Sequence, residues 1–131
     1  MYGASGSVGS YAVQLAKELG ASVTGVCSTK NVEIVLALGA QEIIDYTKQD
    51  YSMTCEKFDV ILDAVGKISK PKKLLEDGGA FVSVKMLTKE LTEDLLKIKE
   101  LAEIGAIKPL MDNVYSLDEI VDAHAYVDEG H

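Results

Sequence analysis

The sequence predicts an α/β fold, a doubly wound parallel sheet with helices on both faces, and three observations carry that expectation. Helical and strand-like patterns alternate along the first two thirds of the chain, which implies parallel strands joined by crossover helices. A glycine-rich turn, "GASGSVG" at residues 3–9, opens the first helical pattern. The run "FDVILDAVG" is largely apolar on successive residues, as expected of a strand buried on both faces of a sheet.

Each element has its own local reason. From Val8 to Leu19 the apolar positions Val8, Ala12, Leu15, Ala16 and Leu19 recur at helical spacing, and Gly20 follows as a stop. "SVTGVC" (22–27) is short and β-branched and reads as a strand, and "NVEIVLALG" returns to helix and ends at Gly39. "EIIDY" (42–46) is the next strand. "TKQDYSMTCEK" (47–57) is a polar connection with room for one helical turn, and "FDVILDAVG" (58–66) follows as a buried strand. Residues 72–78 are expected to form a short helix closed by Gly78 and Gly79, with "AFVSV" (80–84) as the strand after it.

The last third reads as helical. Thr92 is expected to cap a helix whose Glu93 and Asp94 lie beside the positive end of the helix dipole, with Gly105 ending it. "SLDE" (116–119) is a capping box, with Tyr115 set to pack on Ile120, and this helix is expected to run to about Asp128. No repeat, low-complexity tract or linker divides the chain, so residues 1–131 read as a single domain.

Composition narrows the function classes. The chain is 47% hydrophobic and 26% charged, with no apolar run of the roughly 20 residues that a membrane span needs. Its formal net charge of -8 argues against a nucleic-acid backbone or an anionic membrane as partner, since both need a positive surface. Cys27 and Cys55 are far apart and, with no secretory leader, are expected to be free thiols in a reducing, cytoplasmic compartment. A zinc site needs three or four close Cys, His or carboxylate ligands, and His124 and His131 in the tail offer no such cluster.

The glycine turn carries the chemistry. Ala4, Gly6 and Gly9 occupy the three positions of GxGxxG, with Gly3 just ahead. A dinucleotide site needs no side chain at Gly6, where the pyrophosphate approaches, and none at Gly9, where the helix packs close to the sheet. Backbone N–H groups at the start of the helix then receive the phosphates. Such a turn also occurs simply as a tight turn. About 20 residues on, where an NAD site places an acidic residue, the strand ends in Ser28-Thr29-Lys30. Two hydroxyls and an ammonium suit a 2′-phosphate, so NADP is expected over NAD; the same residues also suit a helix cap with a solvated lysine. Asp63 and Gly66 end a strand on the carboxyl edge, Gly66 admitting the cofactor ribose, and Asp63 is read equally as a site residue or as a turn cap. His124 is expected to be a packed or surface residue.

The string "GASGSVGSYAVQLAKELGASVTGVCSTKNVEIVLALGAQEIIDYTKQD", followed in order by "FDVILDAVG", "GGAFVSV" and "GAIKPLMDNVYSLDEIVDAHAYVDEGH", resembles the cofactor domain of the medium-chain dehydrogenase/reductase superfamily. The likeness is to its quinone-oxidoreductase-like branch, often labelled zinc-type alcohol dehydrogenase, and it covers essentially the whole chain. It implies a Rossmann-type sheet and an NADP(H)-dependent oxidoreductase acting on a quinone, an enone or another carbonyl compound. It places Gly6, Ser7, Val8 and Gly9 at the pyrophosphate, Ser28 and Lys30 at the 2′-phosphate, and Tyr46 near the adenosine phosphate. Val65 and Gly66 then border the nicotinamide. It implies no metal ligand and no catalytic residue in this chain, because members carry those in an N-terminal catalytic domain.

The same resemblance makes the fold truncated at its first strand and at its C-terminus. Only Met1 and Tyr2 stand where a central strand belongs, which leaves a gap of about 10 Å between its neighbours. Unpaired edges on both sides are templates for strand addition. A second copy of the chain or other polypeptide is therefore expected to fill the gap, with homo-oligomerisation as one route; a fragment of a longer enzyme is the other explanation. A nucleotide-binding or assembly module without turnover is the competing function. A methyltransferase is disfavoured, because Cys27-Ser28-Thr29-Lys30 stands where it needs an acid.

Overall fold

Residues 1–54, 56–86, 89 and 91–129 are described by a computed structural model of the chain. Strand β1 (Thr24–Cys27) pairs in parallel with β2 (Glu42–Asp45), Thr24 opposite Glu42 and Cys27 opposite Asp45. Strand β3 (Phe58–Asp63) pairs in parallel with β4 (Leu75–Ser83), Val60 opposite Ala80 and Asp63 opposite Ser83. Tyr2 joins the two pairs by bridging in parallel to Val26 and to Asp63, giving the spatial order β2, β1, Tyr2, β3, β4.

The join is made by backbone hydrogen bonds. The Tyr2 N–H donates to the Leu62 carbonyl at 2.8 Å and its carbonyl accepts from Ala64 N–H at 3.0 Å. The Met1 carbonyl accepts from Val26 N–H at 2.8 Å, and its amino group donates to the Thr24 carbonyl at 2.8 Å. Met1 and Tyr2 thus lie in the central position expected for the strand ahead of the glycine turn.

Helix α1 (Ser7–Glu18) follows the turn, and Gly20 closes it with φ +80°. Its buried face is Gly9, Ser10, Val13 and Gln14, whereas Val8 is half exposed and Leu19 is 86% exposed. The expected face through Val8, Leu15 and Leu19 is therefore rotated by about one residue. The cause is steric: Gly9, whose Cβ would clash with the Gly3 backbone, lets the helix approach the turn closely, and Val13 and Ala16 follow it on the same side.

Helix α2 (Val32–Leu38) ends at Gly39, whose φ of 115° is open to glycine and costly for other residues. Ala4, Val13, Val23, Cys27, Val35 and Ala40 form the core between α1, α2 and β1. Cys27 is a buried free thiol; Cys55, also read as free, lies outside the described residues, as does His131.

The expected helix over residues 72–78 is not formed. Only a 3₁₀ turn (Pro71–Lys73) is present, and Leu75 already belongs to β4. Leu75 pairs with Phe58 and Ala80 with Val60, so five steps on β4 face two on β3 and the extra residues bulge out. Gly78 takes φ +84°, and a Cβ on Gly79 would stand 2.9 Å from the Asp59 carbonyl oxygen. The glycine pair serves this bulge, not a helix stop.

Helix α3 (Thr92–Glu103) starts with Thr92 inside the helix; Leu91 takes the cap position, because the chain is still extended there, and no side chain caps it. Gly105 ends the helix with φ +74°. The capping box of Ser116 and Glu119 is formed, followed by a 3₁₀ turn (Leu117–Glu119) and helix α4 (Ile120–Asp128). Tyr115 meets Tyr126, ring centroids 6.3 Å apart. Neither α3 nor α4 buries a residue fully, and His124 is exposed. The segment between them is anchored by Ile107, 4% exposed, and by the buried Gln14 side chain. Gln14 accepts from Lys108 N–H at 2.8 Å and donates to its carbonyl at 3.0 Å.

Candidate functional site

The glycine turn is built by two close approaches. Gly3 has φ +77°, and its carbonyl accepts from Gly6 N–H at 3.1 Å, closing the turn. A Cβ on Gly9 would stand 2.0 Å from that carbonyl oxygen, a clash with backbone that only glycine avoids. Gly6 is different. Its φ is -76°, and the nearest atom to a Cβ there is the Gly3 oxygen at 3.5 Å, an ordinary contact. The fold itself therefore does not require glycine at residue 6.

Gly6 is the N-cap of α1 and lends no side chain to its first turn, which carries no acidic residue. This end of the helix borders an open cleft of about 410 Å³. Gly6, Ser7 and Lys30 line this cleft together with Ser5, Ser10, Asn31, Met111 and Tyr126. Lys30 is the one cation and Asp112 the one carboxylate among the described lining residues. Asn31 Nδ2 donates to Ser5 Oγ at 2.9 Å, tying the start of α2 to the glycine turn. Tyr126 donates to Asp112 Oδ2 at 2.7 Å, and this bond leads the causes that push its phenol pKa upward. Val8 is half exposed on the first turn of α1.

Ser28 is half-buried and takes the N-cap position of the 3₁₀ turn (Thr29–Asn31) that leads into α2, through its backbone carbonyl and without a side-chain bond, and Lys30 is exposed, so the cap reading is met in position but not by a side-chain hydrogen bond. Thr29 is engaged elsewhere: its hydroxyl donates to Asp45 Oδ2 at 2.5 Å and meets Thr47 Oγ1 at 2.8 Å. Asp45 also accepts from the Thr47 N–H at 3.0 Å and hydroxyl at 2.7 Å, with Lys48 Nζ at 3.3 Å. The Thr29 and Thr47 hydroxyls are the leading causes that hold the Asp45 carboxyl far below the usual range. Its charge thereby fixes the ends of β1 and β2, and among the described residues the Ser28 hydroxyl and the Lys30 ammonium have no side-chain partner.

Tyr46 is 53% exposed and sits over a separate shallow depression with Tyr2, Thr47 and Tyr51, not in the glycine-turn cleft. The Tyr2 and Tyr51 rings meet there at a tilt of 55°, with centroids 4.8 Å apart. Val65 lies against the glycine turn: a Cβ on Gly3 would stand 2.4 Å from Val65 Cγ2. Gly66 follows with φ +75°. Asp63, 1% exposed, holds this second turn by accepting N–H bonds from Val65 at 3.1 Å, Gly66 at 2.7 Å and Ile68 at 2.8 Å. Of the two roles open to Asp63, the turn cap is the one formed.

The structure thus brings Gly6, Ser7 and Lys30 to one cleft and Val65 to the far side of the same turn, with Tyr46 apart. Sequence reasoning missed Asn31, Asp45 and Gln14. An Asp closing a strand beside two threonines was a readable signal for the second; the other two act over 26 and 94 residues of separation. Among the described residues no group of three His, Cys, Asp or Glu side chains is placed to hold a metal ion. No helix among them is long and apolar enough to cross a membrane.

Residues 7–120 match the protein family described as zinc-binding dehydrogenase. The chain is 38% identical over 144 residues to a 2-methylene-furan-3-one reductase of Solanum lycopersicum, covering 98% of this chain and 36% of that protein. It is 33% identical over 139 residues to a chloroplastic NADPH-dependent alkenal/one oxidoreductase of Arabidopsis thaliana, covering 96% and 36%. A solved quinone oxidoreductase from Coxiella burnetii has a TM-score of 0.83 at 23% identity, covering 99% of this chain and 48% of that one. The Escherichia coli quinone oxidoreductase complexed with NADPH has a TM-score of 0.73 at 23% identity, covering 98% and 52%. At such identity the two structures establish the fold alone. The chain spans little more than a third of the first two curated relatives, 36% of each.

Proposed function

We propose, from the premise that the chain belongs to the zinc-binding dehydrogenase family, that it is the NADP(H)-binding domain of an oxidoreductase acting on an enone, a quinone or another carbonyl compound. The observation that carries this reading is Gly6. It is a glycine that the fold does not need, at the mouth of a cleft on a helix N-terminus, where a side chain would obstruct a ligand and nothing else.

A bound nicotinamide supplies the hydride; the residues of this chain bind and orient it. In this reading the N–H groups of Ser7, Val8 and Gly9 receive the pyrophosphate, Ser28 and Lys30 take the 2′-phosphate, and Tyr46 lies near the adenosine phosphate. Val65 and Gly66 border the nicotinamide on a turn held by Asp63. The zinc of the family's description finds no donor set among the described residues. The names of curated relatives, which include an NADPH-dependent alkenal/one oxidoreductase and a quinone oxidoreductase, support the cofactor and the substrate class. A cytoplasmic location belongs to this proposal, although the relatives include chloroplastic and mitochondrial proteins.

Thermal unfolding with NADP and with NAD tests it. At about 100 times its dissociation constant, a ligand of the folded chain adds about 2.7 kcal/mol and raises the midpoint by several degrees. The proposal expects that rise with NADP and a much smaller one with NAD; no rise with either would refute it.

A further inference from the structure

The turn that carries Ser28 and Lys30 leaves the sheet at the last pair of β1 and β2. Cys27 stands opposite Asp45 there, and the Tyr46 N–H donates to the Cys27 carbonyl at 3.1 Å. Beyond that point the turn is held at both ends by side chains. Asn31 N–H closes it on the Ser28 carbonyl at 2.9 Å. Asn31 Nδ2 ties its far end to Ser5 in the glycine turn, and the Thr29 hydroxyl ties its near end to Asp45. Lys30 lies between the two ties.

The tie at Thr29 is a closed triangle. The Thr29 hydroxyl is 2.5 Å from Asp45 Oδ2, the Thr47 hydroxyl is 2.7 Å from Asp45 Oδ1, and the two hydroxyls are 2.8 Å apart. A hydroxyl carries a single proton to donate. Two protons therefore serve all three contacts, and the Thr29 hydroxyl has none left for an outside acceptor. Asp45, at the apex, is 8% exposed, and these hydroxyls lead the causes that keep its carboxyl ionised. The Thr47 N–H at 3.0 Å and Lys48 Nζ at 3.3 Å offset its charge further.

We propose that Thr29 and Asp45 are positioning residues for cofactor selectivity: their bond fixes residues 28–31 so that Ser28 and Lys30 meet the 2′-phosphate, while neither Thr29 nor Asp45 touches the cofactor. The inference rests on the NADP(H) reading of the site. A turn pinned on both sides presents the Lys30 ammonium with less freedom to lose on binding. It also corrects the role of Thr29, whose hydroxyl counts as a phosphate donor in the sequence and is consumed inside the triangle in the structure.

Direct contact and positioning give opposite signs at Asp45. Removing an anion near a phosphate site favours the phosphate on charge alone, whereas removing a pin weakens it. The dissociation constants of NADPH and NADH are measured for the 131-residue chain, Thr29→Val, Thr29→Ser, Asp45→Ala and the double variant of Thr29→Val with Asp45→Ala. Thr29→Val is expected to lower the preference for NADPH by about fivefold or more with NADH affinity held within about twofold, and Thr29→Ser to retain the preference. Asp45→Ala is expected to lower it by the same factor and the double variant no further, since both changes break one bond. The inference is overturned if Thr29→Val keeps the preference or Thr29→Ser loses it. It is equally overturned if Asp45→Ala binds NADPH more tightly, which would make the freed Thr29 hydroxyl a phosphate ligand. Should Asp45→Ala not fold, the two Thr29 variants decide. An unaltered chain with no preference for NADPH fails the NADP(H) reading and this inference with it; a preference that Thr29→Val retains fails this inference alone.

Discussion

The Cβ that Gly9 lacks would stand 2.0 Å from the carbonyl oxygen of Gly3, whereas one on Gly6 would come no nearer than 3.5 Å to the same atom. The two glycines therefore have separable roles, one for packing and one for the ligand. Gly9→Ala is expected to destabilise the chain by about 3 kcal/mol, since backbone on both sides must shift. Gly6→Ala is expected to cost less than about 1 kcal/mol, the loss of a good cap residue being offset by a less flexible unfolded chain. It should nonetheless weaken NADP(H) at least tenfold. Denaturant melts and cofactor titrations of the two variants check the pair.

Asp63 stabilises the second turn of the site through three backbone N–H groups. Asp63→Asn is expected to cost about 2 kcal/mol, because a neutral amide replaces a charged acceptor of buried donors. Burial pushes the Asp63 carboxyl up, but the N–H groups of Ile68, Val65, Gly66 and Lys67 outweigh it and hold the pKa below the ordinary carboxylate value. The unfolded chain thus takes up this proton first on acidification. The stabilisation is complete above about pH 5 and is lost as pH falls below about 4, and the Asn variant should show a flatter acid limb in urea melts.

In the 131-residue chain, burial lowers the Met1 amino group from 8.0 to about 6. Between these values the unfolded chain binds more protons than the folded one, so stability rises with pH through this window and levels off above about 8. The rise amounts to about 2–3 kcal/mol. Acetylating the amino group should abolish it while leaving an N–H for the Thr24 carbonyl. Urea melts of the two forms at pH 5.5 and 8.5 read the difference.

Much of this was legible because its causes are local. The GxGxxG-like spacing, the stops at Gly20, Gly39 and Gly105 and the Ser116 capping box are each set by a few neighbouring residues, and each is formed. The buried face of α1 was misread because Gly9 and Ser10 carry no hydrophobic signal, yet a steric contact with Gly3 decides the rotation. Gly78 and Gly79 read as a helix stop because their role, a bulge opposite Phe58 and Val60, depends on a strand 20 residues away in sequence. Asn31 to Ser5 and Gln14 to Lys108 are contacts between distant segments, invisible to any spacing rule. The separation of Tyr46 from the glycine-turn cleft likewise follows from where β2 lies in the sheet.

The dissociation constants of NADPH and NADH, measured by titrating their fluorescence into the 131-residue chain and into Lys30→Ala, test the central claim most directly. An ammonium committed to the 2′-phosphate makes a charge-assisted bond of about 1.5–3 kcal/mol. The account predicts that NADPH binds at least tenfold more tightly than NADH and that most of this preference disappears in Lys30→Ala, with NADH affinity unchanged. Equal affinities for the two cofactors, or a preference that survives the loss of Lys30, would contradict it.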